Sequence, residues 1–264
     1  MKMREIGRIG IIGGGGWLGS ALAKALINSG TVQPNGLTCS YRSGTVDAAI
    51  RCHWTKDNNE LVAQSDVVIL SVRPSDWKAV KIAAAEKLIV SVMAGVTLDQ
   101  IRNDTGARRV ARALPNAAAE LGFSYTPIYL QSDRAGDLEI ARTIFESCGQ
   151  VDIVEREDHI DYFTAMSGSG EAFPALLAEA MVSDAVSRGI SVDMATRAAQ
   201  QVIIGAGRLQ ERHRQSPAAA VEAFVAYNGT TAAGIVTMRE QGFEAAVRSG
   251  LEAAYRKALA LSEE

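Results

Sequence analysis

Residues 8–26 read RIGIIGGGGWLGSALAKAL: an apolar run, four consecutive glycines, then a helical pattern. No other stretch restricts the fold as strongly. Gly14, Gly16 and Gly19 stand in GxGxxG spacing, directly after a strand-like segment and at the opening of a helix, which is the context the pattern needs. In that arrangement Gly14 permits the tight turn, Gly16 lets the backbone approach a pyrophosphate, and Gly19 lets the helix pack on the strand. The helix N-terminus, with Trp17 and Leu18 in its first turn, then offers unpaired N–H groups and a partial positive charge to phosphates. The sequence therefore predicts dinucleotide binding, against the plainer alternative of a glycine turn serving only strand-to-helix packing. Gly13 leaves the register of the turn open by one residue.

The same stretch has the outward form of a secretory leader, since Ile9–Ala23 is uncharged and follows Lys2, Arg4 and Arg8. Gly13–Gly16 interrupt it where a leader keeps a continuous apolar helix, and a spanning helix needs about 20 residues. Strand plus turn fits better, and no other uncharged apolar segment reaches spanning length. Composition narrows the class further. The 264 residues carry 27 Lys+Arg against 30 Asp+Glu, for a formal charge of −3, and 47% are hydrophobic. This is globular composition, which excludes disorder and collagen-like repeats and allows one large domain or two smaller ones. It provides no electrostatic footprint for nucleic acid or an anionic membrane. Cys39, Cys52 and Cys148 are odd in number, with no CxxC pair, so neither a disulfide framework nor a metal site is expected. They read as reduced core thiols of a cytoplasmic protein. His53, His159 and His213 lack motif partners and read as structural or solvated.

Strand and helix patterns alternate through the first half. Strands are expected at Arg8–Ile12, Gly36–Tyr41, Val67–Val72, Leu88–Met93, Arg109–Ala113, Tyr125–Leu130 and Val151–Val154, with helices at Trp17–Ser29 and Asp137–Cys148 and a short helical piece that Leu61–Gln64 closes. Continuous apolar runs such as Val67–Val72 are those of strands buried on both faces of a parallel sheet. The repetition implies right-handed crossovers and a Rossmann-type doubly wound α/β domain over residues 1–158. The remainder, 159–264, loses the strands. Ala172–Arg188, Asp193–Gln210, Pro217–Ala226 and Glu244–Ser262 carry helical spacing, with Gly189 and Gly242 as stops, so an all-α second domain is expected.

The second strand ends at Ser40-Tyr41-Arg42-Ser43, where an NAD-binding domain would carry Asp or Glu for the ribose hydroxyls. Arg42 and Ser43 stand there instead, and a charge-assisted contact of Arg42 to a 2′-phosphate favours NADP(H) over NAD(H). An exposed surface arginine is the alternative.

Four later segments, VVILSVRP (67–74), SVMAGVTLDQI (91–101), RALPNAAAELG (112–122) and FTAMSGSGEAFPALLAEAM (163–181), together with AYNGTTAAGI (226–235), resemble pyrroline-5-carboxylate reductases. The resemblance keeps motif order over nearly the whole chain. It implies hydride reduction of the cyclic imine of 1-pyrroline-5-carboxylate to L-proline by NAD(P)H, with little acid–base machinery. It also implies that Gly229-Thr230-Thr231 is the substrate loop, Thr231 hydrogen-bonding the ring nitrogen, and that Ser167 and Ser169 belong to a loop closing the pocket. A helix cap is the plainer reading of both. Val72-Arg73-Pro74, with Arg73 in place of a lysine, Ala94 and Asn116 are then cofactor contacts at successive strand ends, and Asn116 reaches the nicotinamide half. The family further implies a homodimer or larger homo-oligomer built through the helical domain.

This chain departs from the family pattern in four places. Glu171-Ala172-Phe173 replaces Pro-Ala-Tyr, Ala226-Tyr227-Asn228-Gly229 replaces Ser-Pro-Gly-Gly, Pro115-Asn116-Ala117-Ala118 replaces Pro-Asn-Thr-Pro, and Trp17 replaces a polar residue. These changes keep two alternatives open: reduction of a different cyclic imine, and a nucleotide-binding homologue without turnover. A resemblance to prephenate-type dehydrogenases rests only on the glycines.

Overall fold

The computed structural model describes residues 6–44 and 46–261. Lys2, Arg4 and Ser262 lie outside them. Eight strands, β1 Ile9–Ile12, β2 Leu37–Ser40, β3 His53–Thr55, β4 Val67–Leu70, β5 Leu88–Ser91, β6 Arg109–Ala113, β7 Ser124–Gln131 and β8 Gly149–Ile153, form one sheet in the order β3-β2-β1-β4-β5-β6-β7-β8. Helices α1 Trp17–Asn28, α2 Asn58–Gln64, α3 Pro74–Trp77, α4 Leu98–Thr105, α5 Asp137–Glu146 and α6 Asp158–Phe163 connect and follow them.

Strands β1, β2, β4 and β5 are buried along their whole length because helices cover both faces. Alternate side chains enter opposite layers. Ile11, Val67, Ile69 and Val90 pack with Leu22 and Leu26 of α1 and Phe145 of α5. Ile12, Val68, Leu70 and Ile89 pack with Leu61 of α2, Trp77 of α3 and Ile101 of α4. The strand order reverses between β1 and β4, the position at which a doubly wound sheet opens a ligand crevice at its strand ends.

The doubly wound sheet has two features that the strand pattern does not announce. First, β7 runs antiparallel to β6, then pairs in parallel with β8 through α5. The link from Ala113 to Ser124 is shorter than the dozen or more residues that a parallel crossover takes, so the chain turns back. Second, β3 is an edge strand beside β2. Three residues are too few to show an alternation. The helices α3 and α4 also escape pattern reading; the latter is closed at its start by a capping box between Thr97 and Gln100.

Two arginines of β6 anchor the sheet to its surroundings. Arg112, only 1% exposed, donates to Glu157 Oε1 (3.0 Å) and Asp161 Oδ1 (2.7 Å), and Glu157 also accepts the Leu98 amide (2.9 Å). The cluster ties β6, the start of α4 and α6 together. Arg109 forms a fork to Asp137 with 2.7 and 2.6 Å bonds, and Ser132 Oγ donates to the same carboxylate.

By contact the chain divides into two units: one runs to Gly168 and takes back the chain from Ala254, and the other is Ser169–Ala253. The second unit contains α7 Ala172–Ser187, α8 Val192–His213, α9 Pro217–Tyr227, α10 Thr230–Glu240 and the start of α11 Phe243–Ala260. α7 packs along α8 and α9 along α10. Gly189 and Gly242 take positive φ at the helix stops, and Ser216 with Pro217 opens α9. Large apolar side chains nevertheless stay exposed along these helices, among them Leu176 (64%), Val202, Ile204, Leu209 and Phe224. Among the described residues no helix is long and apolar enough to cross a membrane.

The Arg109–Asp137 fork supports a stability prediction. Burial alone would raise the Asp137 carboxyl, but the bonds from Arg109 and Ser132 outweigh it and hold it below the usual carboxylate range. Asp137→Asn strands a buried guanidinium, so the unfolding free energy at pH 7 should fall by about 3 kcal/mol. Because the folded pKa is the lower one, the stabilisation is complete above the unfolded value of about 4 and is lost as pH falls through the folded value. Urea titrations at descending pH should show the two proteins converging only in the acid limb.

Candidate functional site

The glycine turn is built by close backbone approaches that no side chain would permit. Gly13, at φ +84°, makes the sharp turn after β1, and its N–H points to Ser40 Oγ at 3.4 Å. The turn glycine is therefore Gly13 and not Gly14. A Cβ on Gly14 would lie 2.7 Å from Cys39 Cβ in β2, and one on Gly19 would lie 2.4 Å from the Gly13 carbonyl oxygen. Gly16 is the N-cap of α1; it makes no side-chain capping bond, and the first turn carries no acidic residue. The N-terminal amides of α1 thus remain available to an anion, which is the arrangement a pyrophosphate requires.

The turn forms the floor of a cleft of 490 Å³ at the C-terminal ends of β1, β2, β3 and β4. Of the residues singled out in the sequence, Gly16, Arg42, Ser43, Val72 and Arg73 line it. Gly14 and Gly19 act from beneath through packing. Trp17 projects into solvent, Leu18 packs on the core, and Pro74 opens α3. The sequence reading missed Lys56, Asn58 and Asp76, which also line the cleft. Lys56 and Asn58 follow the unrecognised strand β3, and Asp76 sits in the unrecognised helix α3. Ser40 Oγ donates to Asn58 Oδ1 at 2.7 Å, joining the end of β2 to α2. Arg42 Nη1 pairs with Asp76 Oδ1 at 3.0 Å.

The later strand ends are tied within the same unit. A Cβ on Gly95, beside Ala94, would meet Leu261 at 2.5 Å, so this turn is covered by the end of the chain's last helix. The Asn116 side chain is committed at both ends: Oδ1 accepts the Ala118 amide (3.1 Å) and Nδ2 donates to the Ser167 carbonyl (3.1 Å). Ser167 lies in a π-turn, Thr164–Gly168, with its hydroxyl on the Phe163 carbonyl. The cysteines, read as separate core thiols, turn out to include a neighbouring pair. The half-buried Cys52 accepts a bond from the Cys39 thiol; this bond and then burial push Cys39 up, while the same bond holds Cys52 below the usual thiol range.

In the second unit, Asn228 and Gly229 alone connect α9 to α10. Asn228 adopts φ +53°, a left-handed cap that asparagine tolerates, so the departure from Ser-Pro-Gly-Gly still produces a two-residue turn. Gly229 is the N-cap of α10 and makes no side-chain bond to it. Thr230 and Thr231 are exposed in its first turn. Ser169 precedes α7, its carbonyl accepting the Ala172 amide, and Glu171 is the exposed N-cap of that helix without a capping bond.

Comparisons with known proteins match two separate stretches of the chain. Residues 157–261 match the family model for pyrroline-5-carboxylate reductase dimerisation, and residues 8–95 match that for NADP oxidoreductase, coenzyme F420-dependent. A pyrroline-5-carboxylate reductase of Pseudomonas aeruginosa is 35% identical over 216 residues, 79% of each chain. One from Synechocystis is 29% identical over 97% of this chain and 98% of its own. The structure of a pyrroline-5-carboxylate reductase from Coxiella burnetii superposes with a TM-score of 0.88 at 27% identity, covering 97% of this chain and 99% of that one. With both halves matched in one order and along nearly the full length, the chain belongs to the pyrroline-5-carboxylate reductase family.

Proposed function

We propose that this protein reduces 1-pyrroline-5-carboxylate to L-proline with NADPH, NADH being the alternative reductant. The observation that carries the reading is the glycine cradle, in which a Cβ on Gly14 or Gly19 would collide with β2 or with the turn itself, in a chain of this family. When bound, the reduced nucleotide supplies the hydride for the imine carbon. Gly13–Gly16 and the open N-terminus of α1, with Trp17 and Leu18, would hold the pyrophosphate. Arg42 and Ser43 would take the adenosine end, and Val72, Arg73, Pro74, Ala94 and Asn116 the nicotinamide half.

The substrate residues assigned are Gly229, Thr230 and Thr231, with Ser167 and Ser169. The uncapped amides of α10 suit a carboxylate, and the Thr231 hydroxyl would hold the ring nitrogen as the C=N bond is reduced. No general base is required. Holding the reacting atoms about 3–3.5 Å apart supplies most of the acceleration, which accounts for a site of Ser, Thr, Gly and Asn without a His–Asp pair. In this reading residues 1–158 serve the nucleotide and 159–264 serve substrate and dimerisation. The exposed Leu176, Val202, Ile204 and Phe224 support a homodimer or larger homo-oligomer, since apolar patches of this kind mark interfaces. The reading includes a cytoplasmic location, in keeping with free cysteines.

Glu171, exposed and free of a capping role, favours a second reading in which the imine ring carries a further cationic group. A panel of five- and six-membered cyclic imines, followed by NADPH absorbance, separates the two: the first reading requires 1-pyrroline-5-carboxylate to have the highest kcat/KM. Thr231→Ala should lower kcat by on the order of 10–100-fold, the loss of one hydrogen bond to a reacting group, and Thr231→Ser should restore most of it. Equal rates for wild type and Thr231→Ala would remove Thr231 from its role. Gly19→Ala should weaken NADPH binding by about tenfold or more, since the helix must move off the turn, as read by nucleotide fluorescence titration.

A further inference from the structure

The end of the edge strand β3 places a cation beside the end of β2, the position from which nucleotide-binding sheets read the ribose. Ser40 pairs with Thr55 in parallel register, and the Tyr41 amide donates to the Thr55 carbonyl at 3.2 Å. Tyr41 and Lys56 therefore leave neighbouring strands side by side. The Lys56 ammonium stands 5.3 Å from the centroid of the Tyr41 ring, and both residues line the cleft with Arg42 and Ser43.

The charges around this point are unequal. Arg42 is bound to Asp76, whose carboxylate faces the same cleft, so that pair sums to zero. Asp57 and Glu60, the carboxylates nearest to Lys56 in sequence, are engaged elsewhere: Asp57 accepts the Asn59 and Glu60 amides, and Glu60 accepts the Thr55 hydroxyl and pairs with His53. Among the described residues Lys56 has no carboxylate partner. Arg73 has none either, but it follows β4, two strands away from β2, a separation of roughly 10 Å.

We infer that Lys56 is the residue that selects NADP(H) over NAD(H), its ammonium pairing with the 2′-phosphate while its stem rests on Tyr41; Arg42, already held by Asp76, is secondary. This rests on the NADP(H) reading above and moves its charge from the end of β2 to the end of β3. A phosphomonoester dianion meeting an exposed ammonium gains a charge-assisted contact, and a ribose hydroxyl gains almost none. Selectivity therefore resides in one side chain, and general nucleotide affinity does not.

Calorimetric binding of NADP⁺ and NAD⁺, and of adenosine 2′,5′-bisphosphate and AMP, to wild type, Lys56→Ala and Lys56→Arg tests the assignment without turnover. Lys56→Ala should weaken NADP⁺ and the bisphosphate by about tenfold, leave NAD⁺ and AMP within about twofold, and Lys56→Arg should retain the preference. Equal weakening of all four ligands would make Lys56 a general support of the cleft and overturn the inference, as would no change in any. A wild type that binds NADP⁺ and NAD⁺ alike would instead refute the NADP(H) preference itself. Thermal melts of the variants should match wild type, since the side chain is exposed.

Discussion

The contact between the Gly13 carbonyl and the backbone of Gly19 is what the rest of the nucleotide half depends on. A methyl group on Gly19 would sit 2.4 Å from that oxygen, so α1 can press against the turn only because none is there. Pressed in, α1 buries Leu22 and Leu26 against β1 and aims uncapped amides at the cleft. The same absence of side chains creates the packing and the anion site. Stability and binding therefore cannot be varied independently at these positions.

Around that turn, charge is handled in two ways. Deep pairs such as Arg109–Asp137 and the Arg112 cluster, where both Nη atoms of Arg112 are bonded to carboxylates, act as anchors, costly to break because a lone partner would stay buried. Arg42, Lys56 and Arg73 at the cleft are exposed, and water screens them until a ligand displaces it. The first group holds β6 to its neighbours, and in the second Lys56 and Arg73 face the cleft without a carboxylate partner among the described residues, while Arg42 is paired with Asp76. The second unit needs neither kind of charge for its proposed role, which rests on helix-end amides and hydroxyls.

Much of this was legible in the sequence because it is local. The apolar runs at Val67–Leu70 and Leu88–Ser91 announce strands covered on both faces, and the glycine spacing announces the turn. The residues missed depend on pairing across strands. Lys56 and the Cys39–Cys52 contact exist because β3 aligns with β2, and three residues carry no periodicity from which to infer that alignment. Gly13 took the turn position assigned to Gly14 because four glycines in a row offer two registers, and the positive φ at Gly13, with Gly14 packed on Cys39, decides between them. The reversal at β7 follows from a connection too short for a crossover, a property of loop length that strand periodicity does not display. Asn228 shows the opposite case: at this departure from the family motif the chain still turns within two residues, because asparagine accepts the left-handed conformation.

The most direct test of the proposed chemistry follows a hydrogen atom. The purified protein is supplied with 1-pyrroline-5-carboxylate and NADPH deuterated on the transferable position of the nicotinamide, and the product is examined by NMR and mass spectrometry. The account predicts L-proline with one deuterium on the ring carbon that was doubly bonded to nitrogen. Unlabelled proline, or nucleotide binding with no proline formed, would contradict it.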